Sequence, residues 1–203
     1  MEYIAHEETR DGLTLKIIAD DDRESPRNWD NLATLCCDHR DYNLGDDDAH
    51  DAAADAIRAS RHYRPSWEDG EGLDFSHGPD LYKAIQRCDD ILTLPLYLYD
   101  HSGITMSTGP FSCPWDSGQV GFAFITRERA LSEYGGKILT AATRAKALSL
   151  IVGEVETYDM YLTGDVWGYV LEDADGEQTD SLWGCYGLDY AREEGERAAG
   201  WRD

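Results

Sequence analysis

The sequence predicts an α+β fold, one single domain over residues 1–203, with a largely antiparallel sheet of six or seven strands and helices packed mainly on one face. Three observations carry that expectation. Leu92, Leu94, Leu96 and Leu98, then Ile104 and Met106, then Val120, Phe122 and Phe124 alternate with other residues at the period of β-strands. Asp11-Gly12 and Asp175-Gly176 stand between alternating segments, a strong local signal for a hairpin, and so place hairpins near both ends of the chain. Leu139, Ala142, Ala145, Leu148, Ile151, Val155 and Tyr158 recur at spacings of three and four, which marks a long helix over 138–161 to pack on the sheet.

The remaining elements follow in order. Residues 2–8 and 13–19 flank the first hairpin turn, and Asp20 to Pro26 is a polar connection. Trp29, Leu32, Leu35 and Cys36 fall at helical spacing and predict a short helix over 27–37. Asn43-Leu44-Gly45 supplies a turn, followed by a helix over 47–60 whose acidic start suits the positive end of the helix dipole. Residues 62–77, with Pro65, Trp67 and several glycines, read as a loop anchored by an aromatic side chain. A helix over 78–88 turns Leu81, Ala84 and Ile85 inward, and the strands of 91–126 come next, broken by Asp100-His101-Ser102-Gly103. Helices are predicted over 127–134 and 188–199, and the closing hairpin pairs 165–171 with 178–186.

Charge is the abnormal property. Lys plus Arg number 18 against 41 Asp plus Glu, a net charge of −23. Such a surface repels nucleic acid and anionic membranes, so direct nucleic-acid binding and membrane association are excluded as expectations. Duplex DNA carries one charge per about 1.7 Å, so this excess matches roughly 11 to 12 base pairs in number. Solubility and salt adaptation account for the same composition, which counts 26 Asp to 15 Glu and 14 Arg to 4 Lys. The sequence has no apolar run of membrane-spanning length, and its first residues lack the pattern of a signal peptide, so a soluble protein of the host cytoplasm is expected. Five cysteines without a CxxC pair read as reduced thiols.

Few motifs carry chemistry. Cys36, Cys37 and His39 are zinc-type ligands, but adjacent helical residues point apart and no second pair stands at finger spacing, so they read as a packed helix end. Asp100, His101, Cys113 and Asp116, with Ser102 and Ser107 nearby, form the one set from which a thiol nucleophile or a metal-dependent hydrolase could be assembled. Its spacing is equally that of a turn. Asp173 and Asp175 open like a calcium loop that the following residues do not complete. Neither a cofactor nor a resident metal is expected. The acidic clusters are Asp46, Asp47, Asp48, Asp51 and Asp55; Glu154, Glu156 and Asp159, which also read as a solvated helix face; and Glu193, Glu194 and Glu196.

The runs LPLYLYDHSGITMSTGPFSCPWDSGQVGF and GEVETYDMYLTGDVWGYV, with Trp29-Asp30-Asn31-Leu32 and Tyr42-Asn43-Leu44-Gly45-Asp46 as lesser matches, resemble those of a family of small proteins carried by phages, prophages and plasmids. The likeness covers mainly residues 91–172, and its motifs have no chemistry assigned to them. The resemblance and the charge together imply an inhibitor of host defence, of the anti-restriction or anti-CRISPR kind. The expected partner is a basic nucleic-acid-binding protein or complex, engaged through the three acidic clusters in the manner of a DNA mimic, and a homodimer is a further expected partner. The alternative is an enzyme centred on Asp100, His101, Cys113 and Asp116.

Overall fold

A computed structural model gives the structure of residues 3–202. In chain order its elements are β1 (Ile4–Arg10), β2 (Leu13–Ala19), β3 (Thr34–Cys37), α1 (Ala49–Ala59), α2 (Ser66–Asp69), α3 (Gly78–Ile85), β4 (Ile91–Asp100), β5 (Ile104–Ser107), β6 (Ser117–Thr126), α4 (Arg127–Tyr134), α5 (Ala141–Thr163), β7 (Val166–Glu172), β8 (Gln178–Tyr186) and α6 (Leu188–Ala198). The fold is α+β and all its strand pairs are antiparallel. The strands form two sheets of four rather than one of six or seven, in the orders β1-β2-β7-β8 and β3-β6-β4-β5. Alternation fixes which face a residue occupies but not which strand it pairs with, and the pairing of β2 with β7 joins segments from opposite ends of the chain. No helix among the described residues is long and apolar enough to cross a membrane.

The chain divides into two compact units. One comprises residues up to Pro26 together with those from Thr157 onward; the other is Arg27–Glu156. In the first unit Leu15, Ile17, Tyr169 and Leu171 alternate onto one face of the sheet, where α6 covers them with Ala191. Between Leu15 and Ile17, Lys16 reaches Glu172 at 2.7 Å. The expected first hairpin is present from the described residue Ile4 onward, while Glu2 lies outside the described residues. Its turn places Asp11 and Gly12 at φ of 50° and 81°, the positive values a two-residue turn between right-twisted strands requires.

In the second unit β6 is an inner strand, covered on both faces. Phe122 and Phe124 pack with Ala53, Ile57, Leu81 and Ile85 of α1 and α3, and Ala123 and Ile125 are buried on the other face. The loop of 62–77 does hold its aromatic anchor, Trp67, buried on the one-turn helix α2.

The helix expected over 27–37 does not form. Its place is taken by a short 3-10 turn (Pro26–Asn28) and by β3, which pairs with β6. Leu35 and Cys36 are both buried because β3, like β6, is covered on two faces, and a strand of that kind loses its alternation and can pass for a helix. The backbone amides of this segment are satisfied by carboxylates rather than by helical carbonyls. Glu154 accepts from the amides of Leu32 (2.8 Å) and Ala33 (3.2 Å), and Asp46 accepts from that of Leu35 (3.0 Å).

Both carboxylates also hold Arg27, whose side chain is only 5% exposed. The guanidinium donates to Asp46 through Nε (2.6 Å) and Nη2 (2.9 Å), to Glu154 through Nη1 (3.0 Å), and to the carbonyl of Ala33 (2.8 Å). Burial opposes charge on Arg27, yet the hydrogen bonds and charges of Asp46 and then Glu154 outweigh it and hold its pKa above that of a free arginine. Removing one partner of such a cluster leaves the others charged and uncompensated. The substitution Arg27→Ala is therefore expected to cost about 3–5 kcal/mol in urea denaturation, and a loss within about 0.5 kcal/mol, the range of an ordinary surface change, would refute the role given to this cluster.

Candidate functional site

In the Arg27–Glu156 unit the chain leaves β3 at Cys37 and returns to helical structure at Ala49. The segment between them borders three depressions. One of about 450 Å³ is lined by residues 37–39, 42–44 and 46–51. A second, of about 330 Å³, lies between His39–Asp41 and the 115–118 stretch, with Leu98, Asp100 and Val120. The third, of about 340 Å³, is lined mainly by apolar surface of Pro79, Tyr82, Val120 and their neighbours and also touches Asp38. Asp38, His39 and Val120 are each shared between two of these depressions, which adjoin one another in one acidic cleft region.

Carboxylates dominate the walls of the first two depressions, and their local partners decide what each can do. Asp38 lies 3.2 Å from His50 Nε2 and sits against the N-terminus of α3, where a Cβ on Gly78 would fall 1.8 Å from its Oδ2. The glycine thus lets the anion come this close to the positive end of the helix dipole, and a side chain there would displace the Asp38 carboxylate. Asp41 pairs with Arg40 at 2.7 Å. Asp46 belongs to Arg27. The Tyr42 phenol is pushed above its ordinary pKa, first by desolvation and then by its hydrogen bond to Asp100, and its ring stacks on His39 with centroids 4.9 Å apart. Among the described residues no ion pair engages Asp47, Asp48 or Asp51, all exposed at or just before the start of α1. Asp48 holds a left-handed conformation at φ 56°, without a side-chain cap to the helix.

The other expected binding residues are placed differently. Asp55 is exposed on α1, 4.0 Å from Arg58. Glu154 is turned inward onto Arg27, while Glu156 on the same helix is exposed. In the first unit Asp159 is half-buried, and its carbonyl accepts a hydrogen bond from Thr163. On α6, Glu193 pairs with Arg202 (3.0 Å), Glu194 with Arg197, and Glu196 with Arg192 (2.8 Å). Two of these arginines stand one turn away on the helix itself and the third, Arg202, follows it, so each of the three glutamates has a local counter-charge.

The alternative catalytic set is brought together but in an order that does not suit catalysis. His101 Nδ1 lies 3.4 Å from Asp116 Oδ2, and the Cys113 thiol donates to the same oxygen at 3.7 Å. The carboxylate thus stands between thiol and imidazole, whereas an activated thiol needs the imidazole beside it. Asp100 is tied to the same turn through its backbone amide, 2.8 Å from the carbonyl of Asp116, and Ser117 donates to the carbonyl of Cys113 at 2.5 Å. These contacts lock the β4–β5 turn against the start of β6. They also present Trp115 to solvent at 91% exposure beside Asp116.

Sequence reasoning missed Arg27, because a lone arginine carries no pattern. It also missed the Asp38–His50 pair and the convergence of residues 38–42 with 115–120. The one available signal was the clustering of aromatic and acidic residues in both runs. Cys36 and Cys37 are adjacent on a strand and contribute to no metal cluster among the described residues. Comparison of the chain with protein-family models, with curated proteins and with solved structures finds no match.

Burial, and then the charges of Asp38 and Asp46, push the Cys36 thiol up to about 12, and burial raises Cys37 as well. A thiol whose pKa is raised on folding stabilises the fold fully below its unfolded pKa of about 8.5, and that contribution disappears as pH climbs through the folded value. Stability to urea should therefore fall between about pH 9 and the Cys36 value of about 12, and less steeply in Cys36→Ala. Equal slopes in the two proteins would rule this thiol out as a source of the alkaline loss.

Proposed function

We propose that this protein acts by binding rather than by catalysis, and that its acidic cleft engages a basic surface of a nucleic-acid-binding protein. On this reading the partner is a component of a host defence system whose nucleic-acid site is thereby blocked. The observation that carries the proposal is the unneutralised set Asp47, Asp48 and Asp51 at the mouth of a cleft whose other carboxylates are fixed by local partners. Uncompensated carboxylates attract a cationic surface at long range and steer its approach. Trp115 supports the same reading, because an exposed indole next to carboxylates offers both a stacking face and a cation–π surface to an incoming arginine or lysine. The resemblance to proteins of phages and plasmids directs the choice of partner toward defence complexes. The order of the Cys113, Asp116 and His101 contacts weighs against the hydrolytic alternative.

Three consequences separate this function from plain acidic solubility. A basic partner captured from host lysate should be released as salt rises from about 0.1 M to about 1 M, where the screening length falls from about 10 Å to 3 Å. Reversal of Asp47, Asp48 and Asp51 to lysine should slow association by about tenfold or more, and Trp115→Ala should speed dissociation. Reversal of Glu193, Glu194 and Glu196, which already pair with arginines, should change the association rate far less. Surface plasmon resonance on the captured partner measures all three, and equal effects of the two triple reversals would eliminate the cleft as the binding site.

A further inference from the structure

A second site lies in the same unit, where the turn after α1 meets the entry to β4. His62, Asp89 and Asp90 each offer one ligand atom, and these atoms lie within 4.8 Å of one another. His62 Nε2 is 2.6 Å from Asp89 Oδ1. Asp90 is fixed by Ser60 Oγ at 2.6 Å and by the backbone amide of Arg61 at 3.2 Å, each oxygen keeping a further lone pair for another contact. Asp89 is held through its carbonyl, which accepts from Arg144 at 2.5 Å. The turn after α1 and the entry to β4 are thereby held together with one imidazole nitrogen and two carboxylate oxygens close to one another.

The cation that now answers these groups is Arg61. Its Nη2 is 2.7 Å from Asp89 Oδ1 and its Nε donates to His62 Nε2 at 3.0 Å. A single ring nitrogen cannot both receive the Arg61 proton and donate one to Asp89, so one of the two short contacts is unsatisfied in either tautomer. A metal ion removes the conflict, because the lone pairs of nitrogen and oxygen can then point at the same positive centre. Arg61 is more than half exposed on a flexible stem, so it can leave without disturbing the core.

We propose that His62, Asp89 and Asp90 bind one divalent transition-metal ion of the zinc type, in competition with the guanidinium of Arg61. One nitrogen and two oxygen ligands suit zinc, with water completing a tetrahedral shell, and the Irving–Williams order favours zinc over manganese at such a mixed site. Bound there, the ion ties the C-terminal end of α1 to the start of β4. The site is separate from the acidic cleft and does not depend on the binding function proposed for it.

The test titrates tag-free, reduced protein with Zn²⁺ by calorimetry in metal-free buffer, alongside His62→Ala, Asp89→Asn, Asp90→Asn and Arg61→Ala, each checked for folding by circular dichroism. Binding of one ion is expected, with a loss of affinity greater than about tenfold, the least that removing an outer-shell partner commonly costs, in the His62 variant and in at least one aspartate variant. Arg61→Ala should bind several-fold more tightly, since it removes the competing cation. Zn²⁺ should raise the melting temperature of the unsubstituted protein and not that of His62→Ala. Absence of binding, equal binding by His62→Ala, or a thiolate charge-transfer band when Co²⁺ replaces Zn²⁺ would each overturn the assignment.

Discussion

A buried arginine sets the arrangement of the Arg27–Glu156 unit. A guanidinium with 5% of its side chain exposed cannot stay ionised unless anions and acceptors surround it, and arginine does not deprotonate to escape the cost. Asp46 supplies a bidentate fork, Glu154 closes the other side, and the carbonyl of Ala33 takes a remaining proton. The same two carboxylates accept the amides of Leu32, Ala33 and Leu35, so that side chains fix the approach to β3 and its first residues. The position of the acidic cleft follows. Since Asp46 is drawn inward to Arg27, Asp47 and Asp48, which follow it at once, emerge at the surface, and α1 starts from there with Asp51 exposed beside them.

How much of this was legible depended on whether the cause was local. The hairpins were legible, because Asp11-Gly12 states its own backbone requirement and the flanking residues alternate. The helices at 127–134 and 188–198 carry their period in their own residues. β3 was not legible, since its buried Leu35 and Cys36 owe their environment to β6 and to helices many residues away. The division into two sheets was hidden for the same reason. Leu15 and Ile17 announce a strand with one apolar face, and nothing in them names Tyr169 and Leu171 as neighbours. In the candidate site the sequence identified the carboxylates but not their partners, and it is the partners that separate Asp46 from Asp47.

That distinction decides how a net charge of −23 should be read. Residues 1–26 and 157–203 hold 20 acidic against 6 basic residues, a net of −14, whereas 27–156 hold 21 against 12, a net of −9. By count alone the first unit would be the better candidate for an anionic recognition surface. On α6, however, Arg192, Arg197 and Arg202 answer Glu193, Glu194 and Glu196. Exposed pairs of this type contribute little to stability, but they shorten the reach of the field. What sets Asp47, Asp48 and Asp51 apart in the less charged unit is that they lack such an answer and line a depression. A partner's cations respond to the local uncompensated field rather than to the sum over the chain. The excess charge elsewhere is explained well enough by solubility, and the recognition argument rests on three aspartates that one buried arginine helps to place.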